Sequence, residues 1–222
     1  MKISSPAAVA AAPSCTGSTQ ITSTRQYFQI LQSLVDQLPY SAIDAIVSEL
    51  LRRYEQGRTI FLFGNGGSAP LASHFACDLG KGTVISGSSQ MRLRVVALTD
   101  NIPLITAWAN DSSYEAIFAE QLQNLISAGD VAFAISGSGN SPNVLAGLKV
   151  ARTAGAVTMG LTGYQGGKMK ALCDYCVIVP SDNMQIIEDF HLGVAHAVFT
   201  VMRQRISEAA CSQLFVKATA SD

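Results

Sequence analysis

Five short, uniformly apolar runs constrain the fold of this chain more than any other feature. They are TIFLF (59–63), RVVAL (94–98), VAFAI (131–135), VTMGL (157–161) and CVIVP (176–180). None of them alternates apolar with polar residues, as a strand with one solvent-facing side would. We therefore expect five strands that are buried on both faces, which is typical of a parallel sheet covered by helices.

Segments with helical spacing of apolar residues separate these runs. We expect helices near residues 68–80, 101–109, 113–127, 141–154 and 166–173, and a last helix over about 184–206. Alternation of strand and helix predicts an α/β fold with a doubly wound, five-stranded parallel sheet flanked by helices. Such sheets bind their ligands at the carboxyl ends of the strands.

Two amphipathic helices are expected before the first strand. Residues 23–38 and 41–56 both carry apolar side chains at helical spacing, and those of the first segment are Tyr27, Ile30, Leu31, Leu34 and Leu38. Since no strand precedes the first helix, its apolar face needs a partner elsewhere. That partner can be a second subunit.

The composition favours one globular domain between two tails. The chain has 222 residues, of which 48% are hydrophobic and 14% charged, and this suits a single well-buried core. Residues 1–22 are small or polar and contain no apolar segment typical of a signal peptide, so we expect a flexible tail. Residues 208–222 are expected to form a second flexible tail, which leaves 23–207 as the folded domain.

Charge and cysteine content bear on partners and location. A formal net charge of −1 gives no general attraction to nucleic acid or to an anionic membrane, and no apolar run is long enough to span a bilayer. Five cysteines spread through apolar segments favour reduced thiols in the cytoplasm. Cys173 and Cys176 form a C-x-x-C motif for which we favour core packing, although redox work stays open.

Two strands are followed by loops rich in glycine and serine. GNGGS (64–68) follows the first strand, and SGSGNS (136–141) follows the third. Such loops bring backbone N–H groups, hydroxyl donors and a helix N-terminus to an anion, although either loop alone could be only a turn. Because both open on the same edge of a parallel sheet, we expect a small anionic ligand there. Neither loop matches the dinucleotide or nucleoside triphosphate motifs.

All three histidines of the chain are expected on two helices, beside carboxylates. His74 and Asp78 are four residues apart and share one helix face. The last helix carries a group of polar residues in an otherwise apolar stretch, namely Gln185, Glu188, Asp189, His191 and His196. Burying such groups without a function is costly, which favours a catalytic or metal site.

Taken together, these motifs resemble the sugar isomerase (SIS) domain family, and within it the bacterial phosphoheptose isomerases. The resemblance rests on GNGGS, LTD with a later ND, SGSGNSPNVLAGL, LTGYQGGKM and the ED-x-H-x4-H helix, and it covers residues 24–207. It implies a homotetramer with active sites between subunits and conversion of sedoheptulose 7-phosphate to D-glycero-D-manno-heptose 7-phosphate for surface polysaccharide. The alternative is a non-catalytic protein of the same fold that binds phosphosugars or assists a replication initiator.

The resemblance also assigns roles to individual residues. Asp78 and His196 match the positions that exchange the proton. A zinc ion is implied at His74, Asp78, Glu188 and His196. Substrate-binding positions fall on Asn65, Gly66, Ser68, Asp100, Asn110, Asp111, Ser136, Gly137, Ser138, Asn140, Ser141, Gln185 and Glu188.

Four of these positions depart from the family pattern. Asp78 replaces a glutamate, Glu188 a glutamine, Gly137 a threonine and Gln185 an aspartate. The set still offers four oxygen or nitrogen ligands suited to a divalent metal. A change of substrate or a loss of isomerase activity therefore stays open.

Overall fold

A computed structural model describes residues 21–86 and 90–219 of the chain. Its five strands are β1 (Thr59–Gly64), β2 (Arg94–Ala97), β3 (Val131–Ile135), β4 (Val157–Thr162) and β5 (Tyr175–Ile178). They form one sheet in the order β2-β1-β3-β4-β5, and every neighbouring pair is parallel. The predicted five-stranded parallel sheet is confirmed.

The helices are α1 (Thr24–Val35), α2 (Tyr40–Glu55), α3 (Ser68–Cys77), α4 (Ile102–Asp111), α5 (Ala119–Leu125), α6 (Pro142–Thr153) and α7 (Met184–Thr219). A π-helical turn, Asp78–Gly82, continues α3, and 3₁₀ turns occupy Tyr114–Ala116 and Met169–Ala171. Within the described ranges, no helix combines the length and the apolarity needed to cross a membrane.

Two helix predictions need correction. The segment 166–173 holds only a 3₁₀ turn, because its backbone bonds to the loop after β3 instead: Met169 N donates to Gly139 O at 2.9 Å. The last helix does not end near 206 but continues to Thr219, through most of the expected tail 208–222. The expected tail 1–22 lies almost wholly outside the described residues.

The core occupies both faces of the sheet. Along β1, Ile60 and Leu62 belong to one buried cluster, whereas Phe61 and Phe63 belong to another on the opposite face, as strand geometry requires. β1 and β3 are buried along their whole length. β2 differs from the expectation, since it is an edge strand and half of its residues are exposed.

The C-x-x-C pair lies against this core. Cys173 packs against the second cluster, and its thiol lies beside that of Cys176. Interaction with the Cys176 thiol, together with burial, raises the pKa of Cys173, and the same interaction lowers the pKa of Cys176. The packing supports the structural interpretation of the motif.

The apolar face of α1 packs against the same chain and is half-buried there. Tyr27, Ile30, Leu31 and Leu34 pack against a cluster formed by Val179, Ile186, Ile187 and Phe190. Tyr27 Oη also donates to Asp189 Oδ2 at 2.6 Å, and burial with this bond raises the pKa of Tyr27 to about 12. This face is only partly covered within the chain, because no residue of α1 is buried, and α1 steadies the first turns of α7.

Candidate active site

The sheet topology places the two glycine-serine loops side by side. β1 leads through residues 65–67 into α3, and β3 leads through residues 136–141 into α6. Because β1 and β3 are paired in parallel, with Gly64 opposite Ile135, both loops open at the same edge of the sheet. This confirms the predicted position of the loops.

Two asparagine side chains join the loops. Asn65 Nδ2 donates to Asn143 Oδ1 at 2.7 Å, and Asn143 Nδ2 donates to Asn65 Oδ1 at 2.9 Å. Tyr114 Oη donates to the same Asn65 oxygen at 3.1 Å. Asn143, which is 2% exposed, was not identified from the sequence. The feature that could have identified it is a polar amide on the buried side of α6. The Asn65 amide thus holds the first loop to the start of α6.

Hydroxyl groups gather in the second loop. Ser136 is buried, and its Oγ lies 3.3 Å from Ser141 Oγ. Ser141 is the N-cap of α6, yet its side chain makes no capping hydrogen bond, so the hydroxyl faces the loop. Ser138 Oγ accepts a hydrogen bond from Asn140 N at 3.2 Å. Serine donors beside a helix N-terminus are suited to an anion.

Neighbouring segments fix the shape of this loop. Gly163 N donates to Gly137 O at 2.8 Å, and Lys168 N donates to Asn140 Oδ1 at 3.0 Å. Met184 fills the space beside Gly137, where an added Cβ would overlap Met184 Sδ. A threonine at Gly137, as in the family pattern, would require Met184 to move.

Three predicted metal ligands converge at one point. His74 lies on α3, Asp78 begins the π-helical turn and His196 lies on α7. The Nε2 atoms of His74 and His196 are 3.3 Å apart, and Asp78 Oδ2 lies 3.4 Å from the first and 3.8 Å from the second. Their ligand atoms all fall within 4.8 Å of one another. Two imidazoles and a carboxylate fit a zinc ion.

Glu188 lies elsewhere in the site. Among the described residues, the group that could hold a metal contains His74, Asp78 and His196 but not Glu188. The Glu188 carboxylate faces Gly67, where an added Cβ would be 2.6 Å from either oxygen. Gly67 is the N-cap of α3, whose partial positive charge stabilises a carboxylate. The first loop is therefore already next to an acidic side chain.

A cavity of about 230 Å³ lies between α3 and α7. Ser68, His74, Glu188 and His191 contribute to its wall. His191 is fully buried, and neither ring nitrogen has a hydrogen-bond partner in the described part of the chain. Burial lowers the pKa of His191 to about 4, and the backbone of Thr162 beside the ring opposes this shift only in part. The imidazole is thus neutral near pH 7.

The remaining predicted positions are exposed. Asp100 accepts a hydrogen bond from Ser73 Oγ, which places it beside α3 next to His74. Asn110 and Asp111 end α4 and bond to each other at 2.7 Å, and Gln185 lies in the first turn of α7.

Comparison with known proteins adds sequence relatives. The family model described as SIS domain matches residues 25–163. A phosphoheptose isomerase of Pelobacter propionicus is 35% identical over 191 residues, which cover 85% of this chain and 96% of the relative.

Solved structures agree with the sequence comparison. A phosphoheptose isomerase from Neisseria gonorrhoeae is 30% identical with a TM-score of 0.70, and the match covers 81% of this chain and 92% of that one. A phosphoheptose isomerase from Francisella tularensis is 28% identical with a TM-score of 0.73, covering 81% of this chain and 96% of that one. The similarity thus extends over nearly the whole described fold.

Proposed function

The chain belongs to the SIS domain family, in its phosphoheptose isomerase branch, and from this premise we infer that it converts sedoheptulose 7-phosphate to D-glycero-D-manno-heptose 7-phosphate. The observation that carries this inference is the convergence of His74, Asp78 and His196. A protein that only binds phosphosugars has no need of that group. Since the named relatives are isomerases, the binding-protein alternative is not favoured.

The reaction moves a proton between neighbouring carbons through an enediol. It needs a base, an acid and a group that stabilises the developing oxyanion. Asp78 takes the proton and His196 is its partner; their facing atoms are 3.8 Å apart, so both can reach adjacent carbons of one substrate. Although aspartate is one methylene shorter than the family's glutamate, its carboxylate still reaches both imidazoles from the start of the π-helical turn.

Zinc is the metal that suits this group. His74, Asp78 and His196 would hold it, and three protein ligands with an open position are the pattern of catalytic zinc sites. A bound zinc ion would act as a Lewis acid toward the substrate oxygens. Because a carboxylate has two oxygens, Asp78 can bind a metal through one and accept a proton at the other. His196 Nε2 has a single lone pair, so it can bind the metal or exchange the proton but cannot do both at once.

The second loop binds the phosphate in this proposal. Ser136, Ser138 and Ser141 supply hydroxyl donors at the start of α6, whereas the first loop faces the Glu188 carboxylate, which repels an anion. The sugar would then contact the remaining substrate-binding positions, Asp100, Asn110, Asp111 and Gln185.

Loss of a serine from this loop should weaken binding. Ser138→Ala and Ser141→Ala are each expected to cost about 1–3 kcal/mol of phosphosugar binding, the value of a charge-assisted bond in a partly buried site. Isothermal titration calorimetry with sedoheptulose 7-phosphate measures this. Ser48→Ala, on α2, is the matched control. Unchanged affinity in both loop variants would show that the loop is only a turn.

Assembly and location complete the proposal. Phe28, Ile102 and Tyr114 are 67%, 59% and 58% exposed, and such apolar side chains support contacts between subunits of a tetramer. Sedimentation at the mass of one chain would contradict this. Cys77, Cys173, Cys176 and Cys211 are free thiols, which together with a phosphorylated substrate supports a cytoplasmic location.

An isomerisation assay tests the function directly. The purified protein, with and without added zinc, is incubated with a panel of five- to seven-carbon ketose phosphates, and the aldose products are separated and quantified. We expect turnover of sedoheptulose 7-phosphate above the other ketoses. Binding of sugar phosphates without isomerisation of any of them would replace the isomerase by the binding-protein alternative.

A further inference from the structure

The C-x-x-C pair has no part in the reaction described above, and its packing against the core belongs to the protein with both thiols reduced. We propose that Cys173 and Cys176 form a reversible disulfide and that this bond loosens the second loop. Formation of the disulfide does not depend on the isomerase function. Its effect on ligand binding rests on the phosphate site proposed above.

The sheet places the two thiols on one face. Gly160 of β4 and Cys176 of β5 lie opposite each other in parallel register, so their side-chain directions point to the same side of the sheet. Cys173 Sγ lies over Gly160, 2.9 Å from the position that a Cβ there would take. Since neighbouring strands are only about 4.8 Å apart, a thiol over Gly160 is next to the side chain of Cys176.

A small oxidant can reach this pair. Cys173 and Cys176 are both half-buried rather than buried, and β5 is an edge strand of the sheet. Interaction with the Cys173 thiol, followed by the positive charge of Lys170, lowers the pKa of Cys176. Because the thiolate is the nucleophile in thiol–disulfide exchange, Cys176 is the group that attacks first.

The oxidant is a small disulfide, RS–SR. The Cys176 thiolate attacks one of its sulfur atoms, which forms a mixed disulfide and releases RS⁻, and this RS⁻ takes the proton of the Cys173 thiol. The Cys173 thiolate then attacks the Cys176 sulfur and releases the second RS⁻, which takes up the proton that Cys176 gave to solvent. The protein thiols are thus oxidised to one disulfide while RS–SR is reduced to two RSH, and excess thiol reverses the exchange.

The segment before Cys173 supports the second loop. Cys173 N donates to Met169 O at 3.1 Å, and Met169 N donates to Gly139 O at 2.9 Å. Pairing of β5 with β4 fixes Cys176, whereas Cys173 lies in the connection before β5. When the sulfur atoms bond, they approach more closely than non-bonded contact allows, so Cys173 moves. This movement pulls on Met169 and weakens its bond to Gly139.

Mass spectrometry tests the disulfide. The full-length protein is incubated with oxidised glutathione and digested with trypsin, which releases residues 171–203 as one peptide with Cys173 and Cys176 as its only cysteines. We expect this peptide to lose two hydrogen atoms, whereas the peptides with the exposed Cys77 and Cys211 gain glutathione. In Cys173→Ser the glutathione adduct should persist on Cys176, because the thiol that removes it is absent.

Amide exchange and calorimetry test the effect on the second loop. They use a variant in which Cys15, Cys77 and Cys211 are changed to serine, so that only the pair can react. We expect oxidation to speed exchange of the Met169 amide and to weaken sedoheptulose 7-phosphate binding about tenfold, which corresponds to about 1.4 kcal/mol. Reductant should restore both. The same variant with both members of the pair also changed to serine is the control, in which the oxidant should change neither quantity.

The outcomes separate the disulfide from the phosphate site. Two unmodified thiols, or a stable glutathione adduct, on the wild-type peptide 171–203 would overturn the disulfide. Unchanged exchange of the Met169 amide in the oxidised protein would overturn its effect on the loop. Faster exchange with unchanged affinity, or a reduced protein that does not bind the sugar phosphate, would refute only the phosphate site, because the mass and exchange measurements need no ligand.

Discussion

Replacement of Asp78 by asparagine should lower kcat about a thousandfold while leaving the affinity for sedoheptulose 7-phosphate nearly unchanged. The amide keeps the size of the side chain but cannot accept a proton, and general acid–base catalysis contributes about 10²–10⁴ to such a reaction. The Asp78 carboxylate is the acidic member of the group with His74 and His196. Steady-state kinetics and calorimetry on the same preparations separate turnover from binding.

Three controls belong to this measurement. Asp44→Asn makes the same chemical change on the exposed side of α2 and should leave kcat unchanged. Glu188→Gln restores the family's amide at a carboxylate that lies against Gly67 outside the histidine group, so activity should be kept or improved. Zinc content of each variant shows whether a loss of turnover follows a loss of metal. Activity of Asp78→Asn within tenfold of the wild type would remove Asp78 from the reaction.

The strands were predictable because short apolar stretches of the sequence indicate their burial. A run such as residues 131–135, apolar at every position and too short for a typical helix, favours a strand that is paired on both sides and packed on both faces. The structure confirms β3 at these residues. The spatial order β2-β1-β3-β4-β5 depends on long-range pairing, and no local pattern of the chain encodes it.

Parts of the site that depend on one helix were also predictable. The spacing of His74 and Asp78 alone puts them on one face, and the structure finds them 3.4 Å apart. His196 was already a candidate from the polar group on the last helix, but its place beside His74 required the family resemblance, since 122 residues separate the two. The contact between Asn65 and Asn143 was missed because it joins the first loop to the start of α6, and only the folded sheet brings these two segments together.

Tertiary contacts explain the features that local patterns did not predict. Helical spacing across residues 166–173 was overridden by backbone bonds to the second loop, as at Met169. The covering of α1 by α7, and the position of Glu188 against Gly67, are likewise tertiary contacts. Local propensity is weaker than such contacts, so it cannot decide these cases.

Gly139→Ala is expected to remove measurable phosphosugar binding by deforming the second loop. Gly139 has a φ of +63°, in the left-handed region, and a Cβ there would lie 2.8 Å from both the Gly166 carbonyl carbon and Thr162 Oγ1. Atoms of the backbone cannot give way cheaply, and Gly139 N and O also bond to Ser136 and Met169. The loop would have to shift, and with it the hydroxyls of Ser138 and Ser141. We expect affinity to fall at least about a hundredfold, the result of losing two charge-assisted bonds.

Gly155→Ala separates this steric effect from the cost of the backbone conformation. Gly155 follows α6 with a φ of +75°, but its Cβ would meet only Ala128, at 3.5 Å for the nearest atom. Both variants carry the left-handed penalty of about 1–2 kcal/mol, so both should lose stability in thermal unfolding. Only Gly139→Ala carries the clash beside the phosphate site, and only it should lose affinity in calorimetry. Equal, near-normal affinities in the two variants would mean that the second loop tolerates displacement and that the phosphate is bound elsewhere.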